Sequence, residues 1–293
     1  MKQILILGKN GQLGRELCQR AIQKEFEILA YDRSNLDLTD YSGVIHKIKG
    51  IDLSLVINAV AYTAVDKAED EPDQAYAVNR DGPAILASIC HEKGIPLIHI
   101  STDYVFDGSK DRPYLETDKI QPLGVYGKSK AAGEEEIRKQ LKEHIIIRTS
   151  WLYGIHGNNF VKTMIRLGKE RDKLRIVNDQ FGCPTFAADL ADAILSIAGI
   201  IQDNLKIKWG TYHYCGKDRV SWYEFAEKIF EVARTYENFR VNEIEPISTA
   251  EYPVPARRPA NSVLDCSLLS KIYGITFFSL HDSLNKMLGK ILK

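Results

Sequence analysis

The chain has little from which to build a disulfide-stapled, metal-clasped or membrane-spanning protein. Its five cysteines, Cys18, Cys90, Cys183, Cys215 and Cys266, are odd in number and scattered. They frame neither a disulfide scaffold nor a metal knuckle, and read as reduced packing residues. None of the seven histidines has metal-ligand spacing. An excess of one charge is also missing. With 39 basic and 39 acidic residues, no surface-wide field draws the protein to nucleic acid or to a membrane. No apolar run reaches membrane-spanning length, and residues 1–4 enter an apolar strand with no signal-peptide core. The expectation is a soluble, cytoplasmic protein. Heptads, repeats and low-complexity segments are absent too. The 293 residues suffice for one large unit with two lobes.

What is present begins with Ile4-Leu5-Ile6-Leu7, a continuous apolar run of the kind buried on both faces of a parallel sheet. Gly8, Gly11 and Gly14 follow, and then Leu13, Leu17 and Ala21 recur at helical spacing. Strand, glycine turn and helix together let the backbone approach a pyrophosphate, which then sits over free amides at the helix start. A second strand over 26–31 ends at Asp32, where a carboxylate meets an adenosine ribose. Asp32 favours a free 2′-hydroxyl, whereas Lys9 and Arg33 are placed to receive a 2′-phosphate, so either NADH or NADPH is expected. An adenine is expected near Asp37 and Leu38.

Residues 53–59 read as the next strand, and the small residues after it leave room for a cofactor. Asp66 and Lys67 open a polar helical stretch that either serves the site or is only a solvated helix start. Residues 75–90 read as a helix in which Asn79 bonds a neighbouring strand. Residues 97–102 form the fourth strand, delivering Ser101, Thr102 and Asp103 to the crevice while His99 faces the core. A hydroxyl there can bond a substrate carbonyl and its developing oxyanion. The long polar loop 103–122 then leads, in the manner of a lid, to Tyr126.

Tyr126 and Lys130 share a helix face one turn apart. A free phenol titrates near pH ~10, and a nearby ammonium lowers that value, so the pair can protonate a carbonyl oxygen as hydride reaches its carbon. Chance alone predicts about one Tyr-x-x-x-Lys spacing in a chain of this composition, so the pair gains weight only from its surroundings. Its helix extends over 126–142, with Glu134, Glu135 and Glu136 on a solvated face and Gly133 packed closely against sheet or cofactor. Residues 145–149 form another buried strand.

Beyond residue 150 the pattern is mixed: helices over 160–169 and 186–197, strands over 174–177 and 212–214, and a helix over 222–236 capped by Ser221. Trp222, Phe225 and Phe230 read as core packing. Arg257 and Arg258 either neutralise a nucleotide diphosphate or lie in a solvated loop.

Gly8-x-x-Gly11-x-x-Gly14, Ser101-Thr102-Asp103-Tyr104-Val105-Phe106-Asp107-Gly108, Tyr126-x-x-x-Lys130 and Arg148-Thr149-Ser150-Trp151-Leu152-Tyr153-Gly154 together resemble the extended short-chain dehydrogenase/reductases. With Ala64-Val65-Asp66-Lys67-Ala68-Glu69, Gly157-Asn158-Asn159-Phe160, residues 179–185 and residues 258–262, they resemble more narrowly the dTDP-4-dehydrorhamnose reductases, along nearly the whole chain. The resemblance implies an α/β fold: a Rossmann-type doubly wound parallel sheet with a smaller mixed α/β substrate-binding lobe. Residues 1–150, joined by 178–200, would bind NAD(P), and 151–177 with 201–293 would bind the nucleotide sugar. It implies Tyr126 as proton donor, Lys130 as holder of the nicotinamide ribose and tuner of the tyrosine, and Thr102 on the 4-keto oxygen. Thr102, Asp103 and Trp151 would contact the sugar. The cofactor would meet Gly8, Gly11, Gln12, Leu13, Gly14, Asp32, Asp37, Leu38, Ala61, Tyr62 and Thr63, together with Tyr126 and Lys130. The implied substrate is dTDP-4-dehydro-L-rhamnose and the implied state a monomer or homodimer. Some relatives dimerise around Mg²⁺. Here Glu16 is a candidate ligand with few obvious partners, so no metal is expected. Two alternatives share the fold: a reductase or epimerase of another nucleotide sugar, against which residues 182–185 and Arg258-Pro259 argue, and a non-catalytic cofactor-binding subunit like the regulatory subunits of methionine adenosyltransferase.

Overall fold

The computed structural model describes residues 3–203 and 205–292. Six strands form the main sheet: β1 (Gln3–Leu7), β2 (Ile28–Tyr31), β3 (Leu53–Asn58), β4 (Leu97–Thr102), β5 (His144–Thr149) and β6 (Gly210–His213). Their order is β2-β1-β3-β4-β5-β6 and every neighbouring pair is parallel. The winding direction reverses between β1 and β3, and the crevice outside the strand ends at such a point is where α/β sheets bind ligands.

Alternation along each strand separates two cores. Ile4 and Ile6 face helix α1 (Gln12–Gln23) with Leu13 and Leu17. Leu5 and Leu7 face the opposite layer, built by α2 (Tyr41–Lys49), α3 (Gly82–Lys93) and α4 (Val125–Gln140). Burial on both faces explains why these strands are apolar without a break. Helices α5 (Phe160–Glu170), α7 (Trp222–Ala233) and α8 (Leu280–Ile291) build a further core with Leu174. The intervening α6 (Ala187–Gln202) packs its Leu190, Ile194 and Ile197 into the α1 core. Ser221 caps α7 through a capping box with Glu224.

Several elements differ from the sequence expectation. Sequence assigns 201–293 to the second lobe, yet β6 pairs with β5 and extends the main sheet. Its register, Tyr212 opposite Ile147, is a long-range choice that local pattern does not carry. The expected single helix over 75–90 is Pro72–Tyr76, a π-turn at Ala77–Asp81, and then α3. Pro83 has no N–H to offer the Asn79 carbonyl one turn back, which favours the wider turn there. Gly133 packs on that carbonyl, where a Cβ would overlap it, rather than on the sheet or the cofactor cleft.

Glu134 is not solvated. It is buried, taking hydrogen bonds from Arg148 Nη2 at 2.7 Å, Arg148 Nε at 2.9 Å and Ser101 Oγ at 2.6 Å. Burial alone would raise its pKa, but the Arg148 guanidinium overrides this and holds the carboxyl at about 2. The 103–122 loop is pinned: Tyr114 is buried, donates its N–H to Val263 O at 2.8 Å, and accepts from Asp265 N at 2.9 Å.

Candidate active site

The turn after β1 opens the site. Gly8 adopts φ +86°, a conformation glycine tolerates, and any Cβ would press on the Ala59 carbonyl carbon at 3.0 Å. A Cβ on Gly14 would overlap Gly8, so Gly14 serves the packing of α1 on the turn and does not line the cleft. Gly11 is different. A Cβ there would approach Gly8 O at 3.3 Å and fill the space between loop and helix start. The bare backbone fits a pyrophosphate.

Two cavities meet at this turn. One, of about 540 Å³, is lined by Gly8, Asp32, Asp37, Leu38 and Tyr62. The other, of about 450 Å³, is lined by Gln12, Leu13, Thr63, Thr102, Asp103, Tyr126, Lys130, Trp151 and Trp222. Gly11, Ala59 and Ala61 line both, so the two form one trough along the carboxyl ends of the strands. Every residue that the resemblance assigns to cofactor or sugar, except Gly14, lies on it, whereas Lys9, Asp66, Arg257 and Arg258 do not line it.

Asp32 is more occupied than sequence suggests. Its Oδ1 accepts from Ser34 N, Ser34 Oγ and Asn35 N, while Oδ2 accepts from Asn10 Nδ2 at 2.8 Å with Lys9 Nζ at 3.4 Å. The Ser34 hydrogen bond, with Asn35 and Lys9 adding to it, holds the carboxyl at about 2. Arg33 is drawn to Asp37 at 2.9 Å. Tyr62 donates its hydroxyl to Glu71 at 2.7 Å. Its backbone is clamped by Asn79, which also reaches Ser129 and so ties the loop after β3 to α4.

At the centre, Thr102 donates its hydroxyl to Asp103 Oδ1 at 2.9 Å and accepts from Tyr104 N at 3.2 Å. Burial pushes the Asp103 carboxyl up to about 7. Burial also pushes the Tyr126 phenol up to about 12, opposed by a side-chain hydrogen bond with Thr102 and reinforced by the Asp103 charge. Lys130 does not lower it in this arrangement. The Lys130 nitrogen instead lies 2.6 Å from Ile100 O and 3.2 Å from His99 Nε2. Tyr126 is therefore a protonated phenol at neutral pH, suited to giving a proton rather than taking one.

Trp151 follows β5 in the left-handed region, at φ +47°. Backbone strain of that kind persists only where the surroundings hold it. The ring is held by stacking on Trp222 and by Gly182, where a Cβ would overlap the indole. Trp222 is thus half-buried on the trough rather than only in the core, while Phe225 and Phe230 are core residues as expected. Behind the indole pair lies a cavity of about 330 Å³ carrying Arg171, Arg175, Arg258, Phe160 and Tyr252. Arg258 bonds Asp66 at 3.0 Å, and its buried Nε has no partner among the described residues. Arg257 is exposed. Asp66 also accepts from Ala256 N at 3.3 Å, so it ties the segment 256–258 to the short helix Val65–Ala68.

Glu16 is buried and accepts from Arg20 at 3.2 Å. Among the described residues no three His, Cys, Asp or Glu side chains gather as a metal site. No helix among them is long and apolar enough to cross a membrane.

Comparison with known proteins agrees with this geometry. The family described as RmlD substrate binding domain matches residues 1–292. A dTDP-4-dehydrorhamnose reductase of Aggregatibacter actinomycetemcomitans is 46% identical over 279 residues, 94% of either chain. The solved structure of a dTDP-4-dehydrorhamnose reductase from Clostridium acetobutylicum superposes with a TM-score of 0.93 at 39% identity, covering 99% of this chain and 100% of that one. One from Bacillus anthracis, solved in complex with NADP, gives 0.90 at 39% identity with the same coverage. The chain belongs to the dTDP-4-dehydrorhamnose reductase family.

Proposed function

We propose that the protein reduces the 4-keto group of dTDP-4-dehydro-β-L-rhamnose to give dTDP-β-L-rhamnose, using NADPH or NADH. The observation that carries this reading is the meeting of Thr102, Tyr126 and Lys130 with the glycine-lined end of the trough on one side and the Trp151–Trp222 pair on the other. The nicotinamide supplies the hydride. The chain's own residues do the rest. Gly8 and Gly11 admit the pyrophosphate, and Lys9 and Asp32 meet the adenosine ribose.

Tyr126 holds its proton at neutral pH and gives it to the C4 oxygen. Thr102 orients that oxygen by turning its hydroxyl from Asp103, an exchange favoured when Asp103 carries a proton. Trp151 packs against the sugar, and Arg258, with its unpartnered Nε, takes the nucleotide diphosphate. Residues 1–150, with 178–200 and β6, form the cofactor lobe in this reading, and α5, α7 and α8 the sugar-nucleotide lobe.

The test is identification of the product by NMR after incubating protein, NADPH and dTDP-4-dehydro-L-rhamnose. The L-rhamno configuration at C4 is expected. A different epimer, or no product, overturns the assignment.

A further inference from the structure

Lys130 and Glu134 stand one turn apart on α4 and meet successive residues of β4. Lys130 Nζ donates to Ile100 O at 2.6 Å, and Glu134 Oε1 accepts from Ser101 Oγ at 2.6 Å. Both side chains are buried, as is that of Arg148, which forks onto Glu134 from β5. Arg138, a further turn along α4, donates to Glu134 at 3.1 Å. The remaining Arg148 nitrogen, Nη1, lies 3.3 Å from His213 Nε2 of β6, and burial keeps that imidazole neutral.

A buried ion pair adds little stability that a packed neutral pair would not supply. Its place beside Lys130 gives this one another use. The titratable and charged groups around Lys130 are His99 of β4, Asp103 and Tyr104 just beyond it, Tyr126 and Glu134 on α4, and Arg148 of β5. Burial keeps His99 neutral and pushes Asp103 up to about 7, and burial holds both tyrosines protonated. Glu134 is therefore the carboxylate among them that stays ionised throughout the neutral range. The cations nearby are Lys130, Arg138 and Arg148. A guanidinium does not give up its proton in a protein, whereas a buried ammonium does. Loss of negative charge at this place falls on Lys130.

Resting on the reading of Lys130 as a site residue, we propose that Glu134, clasped by Arg148 and Ser101, is a positioning residue that supplies the counter-charge for a Lys130 ammonium in the unliganded trough. Burial lowers Lys130 to about 8, and Glu134 is the charge that pulls it the other way. An ammonium at Lys130 favours a phenolate at Tyr126 where an amine does not, so the role of Lys130 in the proposed reaction depends on a carboxylate outside the trough.

The test is ¹³C NMR of protein labelled at lysine Cε, without cofactor or substrate, with the Lys130 signal assigned by its loss in Lys130→Arg. Its titration midpoint is expected near 8 in the wild type. Glu134→Gln keeps the size and an acceptor for Arg148 while removing the charge, and should lower the midpoint by about one unit or more. Loss of packing alone would let water reach the nitrogen and raise the midpoint towards the ordinary lysine value of ~10.4. The direction of the change thus separates a counter-charge from a merely structural contact, and an unchanged or raised midpoint overturns the proposal. If Glu134→Gln fails to fold, Glu134→Gln combined with Arg148→Met decides, because it leaves neither partner buried alone. A lowered midpoint there supports the counter-charge, and the wild-type value or a higher one overturns it. The titration needs no turnover, so its failure is distinct from failure of the reductase assignment.

Discussion

Trp151 lies flat on Trp222, with ring centroids 3.5 Å apart and planes within 6°. The stack joins the loop after β5 to the first turn of α7, and Gly182 leaves the space in which the Trp151 ring rests.

Gly182→Ala should therefore displace the indole. Forcing a methyl into packed surroundings costs roughly 1–3 kcal/mol. Much of that is expected in sugar binding, as a KM for the nucleotide sugar raised about tenfold with NADPH affinity unchanged. An unaltered KM would show that Trp151 does not touch the sugar.

Asp103→Asn tests the buried carboxyl. Burial raises its folded pKa from 3.8 to about 7, so the stability it contributes is complete below the unfolded value and is lost as pH rises through about 7. Removing the charge should stabilise the protein at pH 8, by at most about 4 kcal/mol, and have little effect at pH 4. Thermal unfolding at the two pH values checks this. Equal effects at both would mean the carboxyl titrates normally.

Gly133→Ala sets two magnitudes against each other. Helix propensity favours alanine by ~1 kcal/mol, while the overlap with the Asn79 carbonyl costs roughly 1–3 kcal/mol. The net expectation is a lower denaturation midpoint. A stabilised variant would show that the α4 contact with the π-turn is loose.

Lys9 Nζ lies 3.4 Å from Asp32 Oδ2. Lys9→Ala should weaken NADPH about tenfold (~1.4 kcal/mol) and NADH much less, read by fluorescence titration of either cofactor. Equal losses would place Lys9 away from the 2′-phosphate.

The site was legible wherever its chemistry is local. The glycine turn, Thr102, Tyr126, Lys130 and Trp151 all fall in short motifs, and strands buried on both faces announce themselves by unbroken apolar runs. Trp222 was not legible as a trough residue, because it stands on an amphipathic helix whose Phe225 and Phe230 are core. Glu134 reads as one of three exposed acids until Arg148 arrives from β5 to pair with it. The β6 edge strand and the Lys130 contacts with Ile100 and His99 depend on partners far apart in sequence, and nothing local reports them.

The most direct measurement is loss of NADPH absorbance with purified protein and fresh dTDP-4-dehydro-L-rhamnose, run beside Tyr126→Phe. The account predicts rapid oxidation by the wild type. In the variant the rate should fall by at least about a hundredfold, with NADPH affinity intact, because only the transferable proton is gone. A wild type that binds NADPH but oxidises none of it, or a phenylalanine variant that turns over normally, would contradict it.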